Sequence, residues 1–330
     1  MSSDEFSVRL AAALARHIGK PAKLHDLQPL TGGANRTTMA FDAEVEGQRQ
    51  QLILQLGIQT DDPAASIEPE ITPEQQARVM IAAEHAGAPA PRVVAILEPV
   101  DGLGEGYITE RVAGETLGPR IVRDERFTGA RRLMAGQCGE ILAAVHRIDL
   151  AEVPFLRRLS AADHVAAHRE LIDYYGFKLP AFELALRWAA ENAPRNQRQT
   201  AVHGDFRTGN LIVGEEGIRC VLDWELAQAG DPMQDLGWLC VKTWRFGAAP
   251  PVGGFGSRGD LFSAYERAGG ESVDPERVEF WEAFGNIKWA VYCLRLGMRG
   301  VDEVGVERSA IGRRIEEPLW DFFNLIEGRE

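Results

Sequence analysis

The most informative stretch of this chain is Val202-His203-Gly204-Asp205-Phe206-Arg207-Thr208-Gly209-Asn210-Leu211-Ile212-Val213. Its last residues are apolar and predict a short strand, so the polar residues before them lie on a loop. On that loop Asp205 precedes Asn210 by five residues. One interpretation is a turn in which both side chains cap backbone amides. A second interpretation is a site where a carboxylate and an amide act together on a ligand.

A second polar loop follows closely. The apolar run 218–222 predicts the next strand of a hairpin, and it ends in Asp223-Trp224-Glu225. A carboxylate at this point can lie beside Asn210, and the two offer oxygen ligands of the kind that Mg²⁺ prefers. In protein kinases, residues with the spacing of Asp205 and Asn210 orient the acceptor hydroxyl and hold a metal ion. His203 also falls at the offset of the histidine in that catalytic loop. The two loops together favour phosphoryl transfer over a capped turn.

Three motifs in series resemble the aminoglycoside phosphotransferase family. This group of kinase-like enzymes also contains choline kinases, homoserine kinases and the kinase domains fused to some acyl-CoA dehydrogenases. The similarity extends from about Leu30 to the last predicted helix, and it implies a small-molecule phosphotransferase. The motifs are His203-Gly204-Asp205 through Asn210, Leu222-Asp223-Trp224-Glu225, and Gly230-Asp231-Pro232-Met233-Gln234-Asp235-Leu236-Gly237.

The resemblance implies a reaction and a set of roles. ATP would donate its γ-phosphoryl group to a hydroxyl of a small molecule, with Mg²⁺ as the metal. Asp205 would be the catalytic base and His203 would brace its loop, while Asn210 and Asp223 would bind Mg²⁺. Asp235 would anchor the loop. Because the hydroxyl proton leaves late in a loose transition state, Asp205 serves more by positioning than by basicity.

The nucleotide site is expected in the first third of the chain. The run that holds Gly32, Gly33 and Asn35 lies where the family has a loop over the ATP phosphates, so these three residues are candidate ligands. On spacing alone, a plain hairpin turn explains this run as well. The run that contains Glu110 and Val112 resembles the hinge between the lobes, whose backbone would bind adenine.

One pair of positions departs from the family. Relatives carry Lys or Arg on the strand where Gln55 stands, and a partner Glu on the next helix near Gln76. An amide pair can keep strand and helix docked by hydrogen bonds, yet it removes a cation from the phosphates. Gln55 is still expected at the nucleotide. The two glutamines also motivate an alternative, a pseudokinase that acts as a nucleotide- or ligand-binding module.

A segment after the helix of Asp235 is expected to border the acceptor pocket. It contains Trp244-Arg245-Phe246-Gly247 followed by a glycine-rich loop. Arg245 and its aromatic neighbours suit an acceptor with a carboxylate or phosphate and an apolar body, such as a hydroxy acid or an acyl compound. An aminoglycoside-like acceptor, or a helix end packed only by aromatic residues, are the alternatives. The candidate substrate residues are Glu225, Arg245 and Phe246.

The predicted elements form two lobes, an α+β architecture with a protein-kinase-like fold. Residues 1–110 combine helices with strands on either side of a hairpin turn at 46–48, which indicates a small antiparallel sheet. Residues 111–330 contain long helical periods with short strands between 202 and 223. The small-lobe helices are predicted at 6–18 and 74–86 and its strands at 37–45, 51–56, 93–97 and 107–110; the later helices are predicted at about 124–148, 162–175, 180–192, 258–269, 275–298 and 305–327.

Composition narrows the function classes further. The 330 residues are 45% hydrophobic and 26% charged, and 36 basic against 49 acidic residues give a net charge of −13. This balance argues against a general nucleic-acid binder, which needs many Lys and Arg side chains. A metal-dependent phosphoesterase is disfavoured, because those sites need several histidines and His203 alone lies near the carboxylates.

The expected location is the cytoplasm. The four cysteines are scattered singly, which is typical of buried thiols in a reducing compartment. The sequence contains neither a basic and apolar leader nor an apolar run of about 18 residues, so we expect no membrane span. We expect a monomer or a homodimer.

Overall fold

The small lobe combines one antiparallel sheet with two helices. The computed structural model of the chain describes residues 2–30, 36–57, 63–195, 198–298 and 306–329. The five strands of the sheet are ordered β1-β2-β3-β5-β4 when numbered along the chain. The first helix is capped by Ser2, whose hydroxyl accepts a hydrogen bond from the amide of Glu5. The elements are α1 (Ser3–Ile18), β1 (Lys23–Leu30), β2 (Arg36–Val45), β3 (Gln48–Gly57), α2 (Pro73–His85), β4 (Val93–Ile96) and β5 (Gly106–Glu110).

The predicted hairpin of β2 and β3 is confirmed. Val45 pairs with Gln48 at its tip and Arg36 pairs with Gly57 at its open end. The two turn residues, Glu46 and Gly47, have φ of 53° and 80°. Two consecutive residues with positive φ match the right-handed twist of the flanking strands, which is why a two-residue turn suffices here.

Strand β1 is an element that the sequence pattern does not predict. It lies at the edge of the sheet and its residues are mostly exposed, so it lacks the apolar alternation of a half-buried strand. Its pairing with β2 shifts between His25 and Gln28, where Asp26 has a φ of 53°. Pro29 also lies within it, and proline is tolerated at an edge because the missing N–H there needs no partner.

The helical lobe contains two short ribbons, each of two antiparallel strands. Thr200–Val202 pairs with Gln228–Gly230, and Leu211–Gly214 pairs with Gly217–Val221. These strands are β6 (Thr200–Val202), β7 (Leu211–Gly214), β8 (Gly217–Val221) and β9 (Gln228–Gly230). The helices are α3 (Gly118–Arg123), α4 (Thr128–Val145), α5 (Ala161–Tyr174), α6 (Pro180–Asn192), α7 (Met233–Cys240), α8 (Arg258–Arg267), α9 (Pro275–Met298), α10 (Val306–Ile311) and α11 (Glu316–Ile326).

The long helix α9 packs next to the loops that connect the strands of the two ribbons. Its buried residues include Phe280, Phe284 and Ile287, and it packs against α7. Every residue of α7 is buried, so this short helix is enclosed by closely packed neighbours. The two helices therefore give the loop after β6 a rigid base.

The architecture is the predicted two-lobed α+β fold. The chain leaves the sheet at the end of β5, at Glu110, and enters the helical lobe; the domain bounds 1–110 and 111–330 stay a prediction. Cys138, Cys220, Cys240 and Cys293 are all buried free thiols. Within the described ranges, none of the helices is both long enough and apolar enough to cross a membrane.

Candidate active site

The loop between β6 and β7 is held at its start by Asp235. This aspartate, in the first turn of α7, accepts hydrogen bonds from the backbone amides of His203 at 2.8 Å and Gly204 at 2.9 Å. Its carboxylate is fully buried, which by itself favours the protonated form. Burial is outweighed by its hydrogen-bond donors, among them His146 Nε2 at 3.2 Å, which hold the pKa of Asp235 below its ordinary value. A charged Asp235 therefore anchors the loop.

His203 connects this loop to the next one. Its Nδ1 accepts a hydrogen bond from the amide of Asp205 at 3.2 Å, so the ring proton is assigned to Nε2, which donates to the carbonyl of Leu222 at 2.9 Å. Burial lowers the pKa of His203 and favours the neutral ring that this arrangement requires. The imidazole thus ties Asp205 to the residue that precedes Asp223.

The carboxylate of Asp205 receives hydrogen bonds from three side chains. Trp238 Nε1 donates to Oδ1 at 2.8 Å and Asn210 Nδ2 donates to Oδ2 at 2.7 Å. Arg207 Nε lies 3.2 Å from both oxygens. The side chain of Asp205 is only 15% exposed, so these three donors fix its orientation at the edge of solvent.

Asn210 and Asp223 are brought together by the β7–β8 ribbon. Leu211 pairs with Val221, and the amide of Leu222 donates to the carbonyl of Asn210 at 2.8 Å, so Asp223 follows directly beside Asn210. Asp223 has a φ of 62°, an unusual conformation for a residue with a side chain. Such local strain is often found at functional positions, where the surrounding structure holds it in place.

The donor set of this pair fits a divalent metal such as Mg²⁺. Asn210 uses its Nδ2 on Asp205, which leaves its amide oxygen as a ligand, and Asp223 adds a carboxylate. Mg²⁺ is commonly held by one or two carboxylates together with phosphate and water oxygens. Among the described residues there is no group of three or more His, Cys, Asp or Glu that could hold a metal. A metal bound here would therefore need oxygens from a ligand or from water.

Lys288 supports the peptide that leads into Asp205. Its Nζ donates to the carbonyl of Gly204 at 2.9 Å and lies 4.7 Å from the centre of the Trp238 ring. Gly204 has a φ of 79°, and a Cβ at this position would collide with the carbonyl oxygen of Leu226. Glycine is therefore required between His203 and Asp205.

Two residues of this site were missed in the sequence, Trp238 and Arg207. Trp238 lies three residues after Asp235 on α7, so both side chains project from one face of the helix toward the loop. That spacing is the signal that could have identified it. Arg207 lies between Asp205 and Asn210, but nothing in the sequence indicates which carboxylate it meets.

In the small lobe, the side chains of Gln55 and Gln76 both lie next to the hydroxyl of Tyr107. Tyr107 OH donates to Gln55 Oε1 and lies 3.4 Å from Gln76 Oε1. Gln76 is buried, and its Nε2 donates to the carbonyl of Ile71 at 2.8 Å. The neutral amide pair suggested by the sequence is thus present, with Tyr107 between the two amides.

The other nucleotide candidates lie at the hinge and before β2. Glu110 accepts hydrogen bonds from Gln50 Nε2 at 2.9 Å and Arg92 Nη1 at 3.3 Å, and Val112 follows it in the connection to the helical lobe. Gly32, Gly33 and Asn35 lie outside the described residues.

The acceptor candidates lie in three different settings. Arg245 is buried and donates to Glu282 Oε1 at 2.9 Å, while Arg258 binds the other oxygen of Glu282 at 2.6 Å. The ring of Phe246 packs against Gly118. The backbone carbonyl of Glu225 accepts from the amide of Ile71 at 3.0 Å. Arg207, rather than Arg245, is the arginine in contact with Asp205, and the substrate roles of the three candidates stay predictions.

Comparison with known proteins places this chain in a family. Residues 26–281, most of the chain, match the model of a family described as the phosphotransferase enzyme family. The chain is 29% identical to acyl-CoA dehydrogenase family member 10 of Mus musculus over 194 residues, which are 55% of this chain and 18% of that protein. It is 24% identical to acyl-CoA dehydrogenase family member 11 of Homo sapiens over 357 aligned positions, covering 96% of this chain and 43% of that protein. The chain thus spans less than half the length of either relative.

Solved structures share the fold. A Ralstonia eutropha protein described as a candidate aminoglycoside phosphotransferase has a TM-score of 0.73 at 21% identity, covering 96% of this chain and 97% of that one. Aminoglycoside 2′-phosphotransferase-IIIa, solved as its GDP complex, has a TM-score of 0.63 at 13% identity, covering 96% and 99% of the two chains. The family model extends across both lobes and includes the loop of Asp205, the Asp223 turn and α7. This chain therefore belongs to the phosphotransferase enzyme family.

Proposed function

We propose that this chain transfers the γ-phosphoryl group of ATP, with Mg²⁺, to a hydroxyl of a small molecule. The observation that carries the proposal is the convergence of Asp205, Asn210 and Asp223 from two adjacent loops. A carboxylate held by fixed donors lies next to a pair of oxygen ligands suited to a divalent metal. This arrangement supports phosphoryl transfer, in which positioning and charge stabilisation supply most of the rate.

The nucleotide would lie between the lobes. The backbone at Glu110 and Val112 would bind the adenine, and the Nε2 of Gln55 would face the phosphates together with Gly32, Gly33 and Asn35. The proposal is supported by the fold shared with a phosphotransferase solved with GDP. The choice of ATP as donor is part of the proposal.

Asn210 and Asp223 would hold the metal, which neutralises phosphate charge when it is bound. Asp205 would accept the hydrogen bond of the acceptor hydroxyl and orient its oxygen toward the phosphorus. His203 and Asp235 act through the backbone, because their side chains accept hydrogen bonds from amides of the Asp205 loop and so hold this loop in position next to α7. Trp238 and Asn210 fix the direction of the Asp205 carboxylate.

The surroundings of Asp205 favour an anionic acceptor over a polycationic one. Arg207 lies at the carboxylate and is 25% exposed, and Trp244 lies under its guanidinium. Trp289 and Tyr292 continue this aromatic surface. A guanidinium in front of aromatic rings would suit a hydroxy acid or an acyl compound with a free hydroxyl better than an aminoglycoside.

A turnover screen tests the proposal. Purified protein would first be titrated with Mg·ATP in a thermal-shift assay and then incubated with ATP and a panel of hydroxy acids, acyl compounds and aminoglycosides. We expect stabilisation by Mg·ATP and phosphorylation of at least one hydroxylated anion, detected by ³¹P NMR and mass spectrometry. Asp205→Asn serves as the inactive control. Tight nucleotide binding with no turnover on any acceptor would support the pseudokinase alternative instead.

A further inference from the structure

Arg207 makes an ion pair within the proposed catalytic loop itself. Its Nε lies 3.2 Å from Oδ1 and 3.2 Å from Oδ2 of Asp205. Its guanidinium carbon lies 4.7 Å from the centre of the Trp244 ring, so the side chain is clamped between a carboxylate and an aromatic face. With a quarter of its surface exposed, the group is held at the mouth of the site rather than in the core.

A second carboxylate acts on the same guanidinium. Burial would lower the pKa of Arg207, but the negative charges of Asp205 and Asp223 raise it above its ordinary value. Lys288, the neighbouring cation, points instead at the carbonyl of Gly204 and the face of Trp238. Arg207 therefore contacts the carboxylate of Asp205 directly and is stabilised in its charged form by Asp223 as well.

The hydrogen bonds of Asp205 leave little room on its carboxylate for the acceptor of the proposed reaction. Trp238 and Asn210 each occupy one oxygen, and Arg207 is shared between both. Since a carboxylate offers about four lone-pair positions, an acceptor hydroxyl competes directly with Arg207 for the remaining ones. An acceptor hydroxyl would therefore bind most readily once Arg207 has moved off Asp205.

We propose that Arg207 and the divalent metal compete for the negative charge of Asp205 and Asp223, so that metal binding releases Arg207 from Asp205. The inference rests on the proposed function, because it takes Asn210 and Asp223 as the metal ligands. It makes Arg207 a positioning residue: its ion pair keeps Asp205 covered, and the freed guanidinium becomes available to an anionic group at the site. Asp205 and Asp223 both lie next to Asn210, and either cation would lower the repulsion between their negative charges, which is the physical basis of the exchange.

Mn²⁺ titration of the purified protein, followed by electron paramagnetic resonance of the free ion, tests the competition. We expect Arg207→Gln to bind Mn²⁺ about tenfold more tightly than the wild type, because its competitor is gone. Arg207→Lys keeps a positive charge and is expected nearer the wild type. Arg187→Gln, which removes an exposed arginine paired with Glu191 on α6, is the matched control and should bind like the wild type.

Tryptophan emission reports the movement itself. In the wild type, saturating Mn²⁺ should change the emission as the guanidinium leaves Trp244, and this change should be absent in Trp244→Phe and in Arg207→Gln. The measurement on the wild type keeps the test decisive even if Arg207→Gln fails to fold. Equal or weaker Mn²⁺ affinity in folded Arg207→Gln, or no change in wild-type emission at saturation, overturns the inference while leaving the proposed metal site intact. Absence of Mn²⁺ binding in every variant, with ADP also present, removes the metal site and the inference with it.

Discussion

The indole Nε1 of Trp238 donates a 2.8 Å hydrogen bond to Oδ1 of Asp205. Trp238 and Asp235 project from the same face of α7, so this one helix holds both the backbone of the loop between β6 and β7 and the carboxylate of Asp205. Lys288 of α9 lies over the face of the indole, 4.7 Å from its centre. The geometry of Asp205 therefore depends on helix packing well behind the loop that carries it.

Replacing Trp238 by Phe should slow transfer without unfolding the protein. Phe keeps much of the packing against Trp244 but cannot donate to Asp205, and a lost hydrogen bond to a charged group corresponds to a decrease of about 10- to 100-fold in kcat. Steady-state kinetics with the acceptor found by the screen measures the change. Trp320→Phe, at an exposed position, is the control. A kcat equal to that of the wild type would show that the indole does not position Asp205.

Replacing Asp205 by Asn should abolish most of the transfer. The amide retains the shape of the side chain but cannot accept the acceptor proton, and losses of about 10²- to 10⁴-fold are typical of such groups. Single-turnover assays measure the rate, and circular dichroism checks the fold. Asp173→Asn, on the exposed end of α5, removes the same charge elsewhere and should remain active. A well-folded and fully active Asp205→Asn would exclude Asp205 as the base.

His164 should make the protein less stable as the solution becomes acidic. Burial lowers the pKa of His164 to about 3, whereas an unfolded histidine has a pKa of about 6.5. Between these values the unfolded chain binds a proton that the folded chain does not, so the free energy of unfolding falls as the pH falls, by up to about 1.4 kcal/mol per pH unit. His168 and His203, whose pKa values are also lowered by burial, add slopes of the same sign.

Urea denaturation at pH 7 and pH 5 measures this effect. In His164→Gln, whose amide can still accept from Gln228, the loss of unfolding free energy between the two pH values should shrink by about 2 kcal/mol. His85→Gln, exposed on α2, should leave the difference unchanged. An unchanged difference in His164→Gln would mean that His164 is not buried in its neutral form.

Substitutions of Gln55 and Gln76, the two neutral residues next to Tyr107, should have coupled effects on stability. Gln76→Glu alone places a carboxylate in a buried position and should destabilise the fold, and Gln55→Lys alone adds an unpaired ammonium. Combined, the two charges can pair across the Tyr107 hydroxyl. We expect a coupling of about 1–3 kcal/mol in unfolding free energy and a higher affinity for Mg·ADP in the double variant than in the wild type. Strictly additive effects would show that the two positions do not interact.

The proximity of Asp205, Asn210 and Asp223 could be predicted because the geometry that brings them together is local. Asp205 and Asn210 lie on one loop, and the pairing of β7 with β8 brings Asp223 beside Asn210 through a short ribbon. The β2–β3 hairpin was predictable for the same reason, since its turn residues and its apolar pattern are adjacent in sequence.

Contacts between distant segments were not predictable. Arg245 was expected at the acceptor, but its partner Glu282 comes from α9, and only the packing of α9 against α7 brings the two together. The same packing decides that Arg207 lies on Trp244 and that Lys288 reaches Gly204. A side chain's charge and its neighbours in sequence do not indicate which of several carboxylates it will meet after folding.

Calorimetric titration of Mg·ADP into the wild type and Asp223→Ala, side by side, measures whether Asp223 helps to bind a metal–nucleotide complex. We expect saturable binding by the wild type that weakens when Mg²⁺ is withdrawn, and loss of this Mg²⁺-dependent part in folded Asp223→Ala. Equal affinity in the two proteins, with or without Mg²⁺, would contradict a metal-nucleotide site at Asp223.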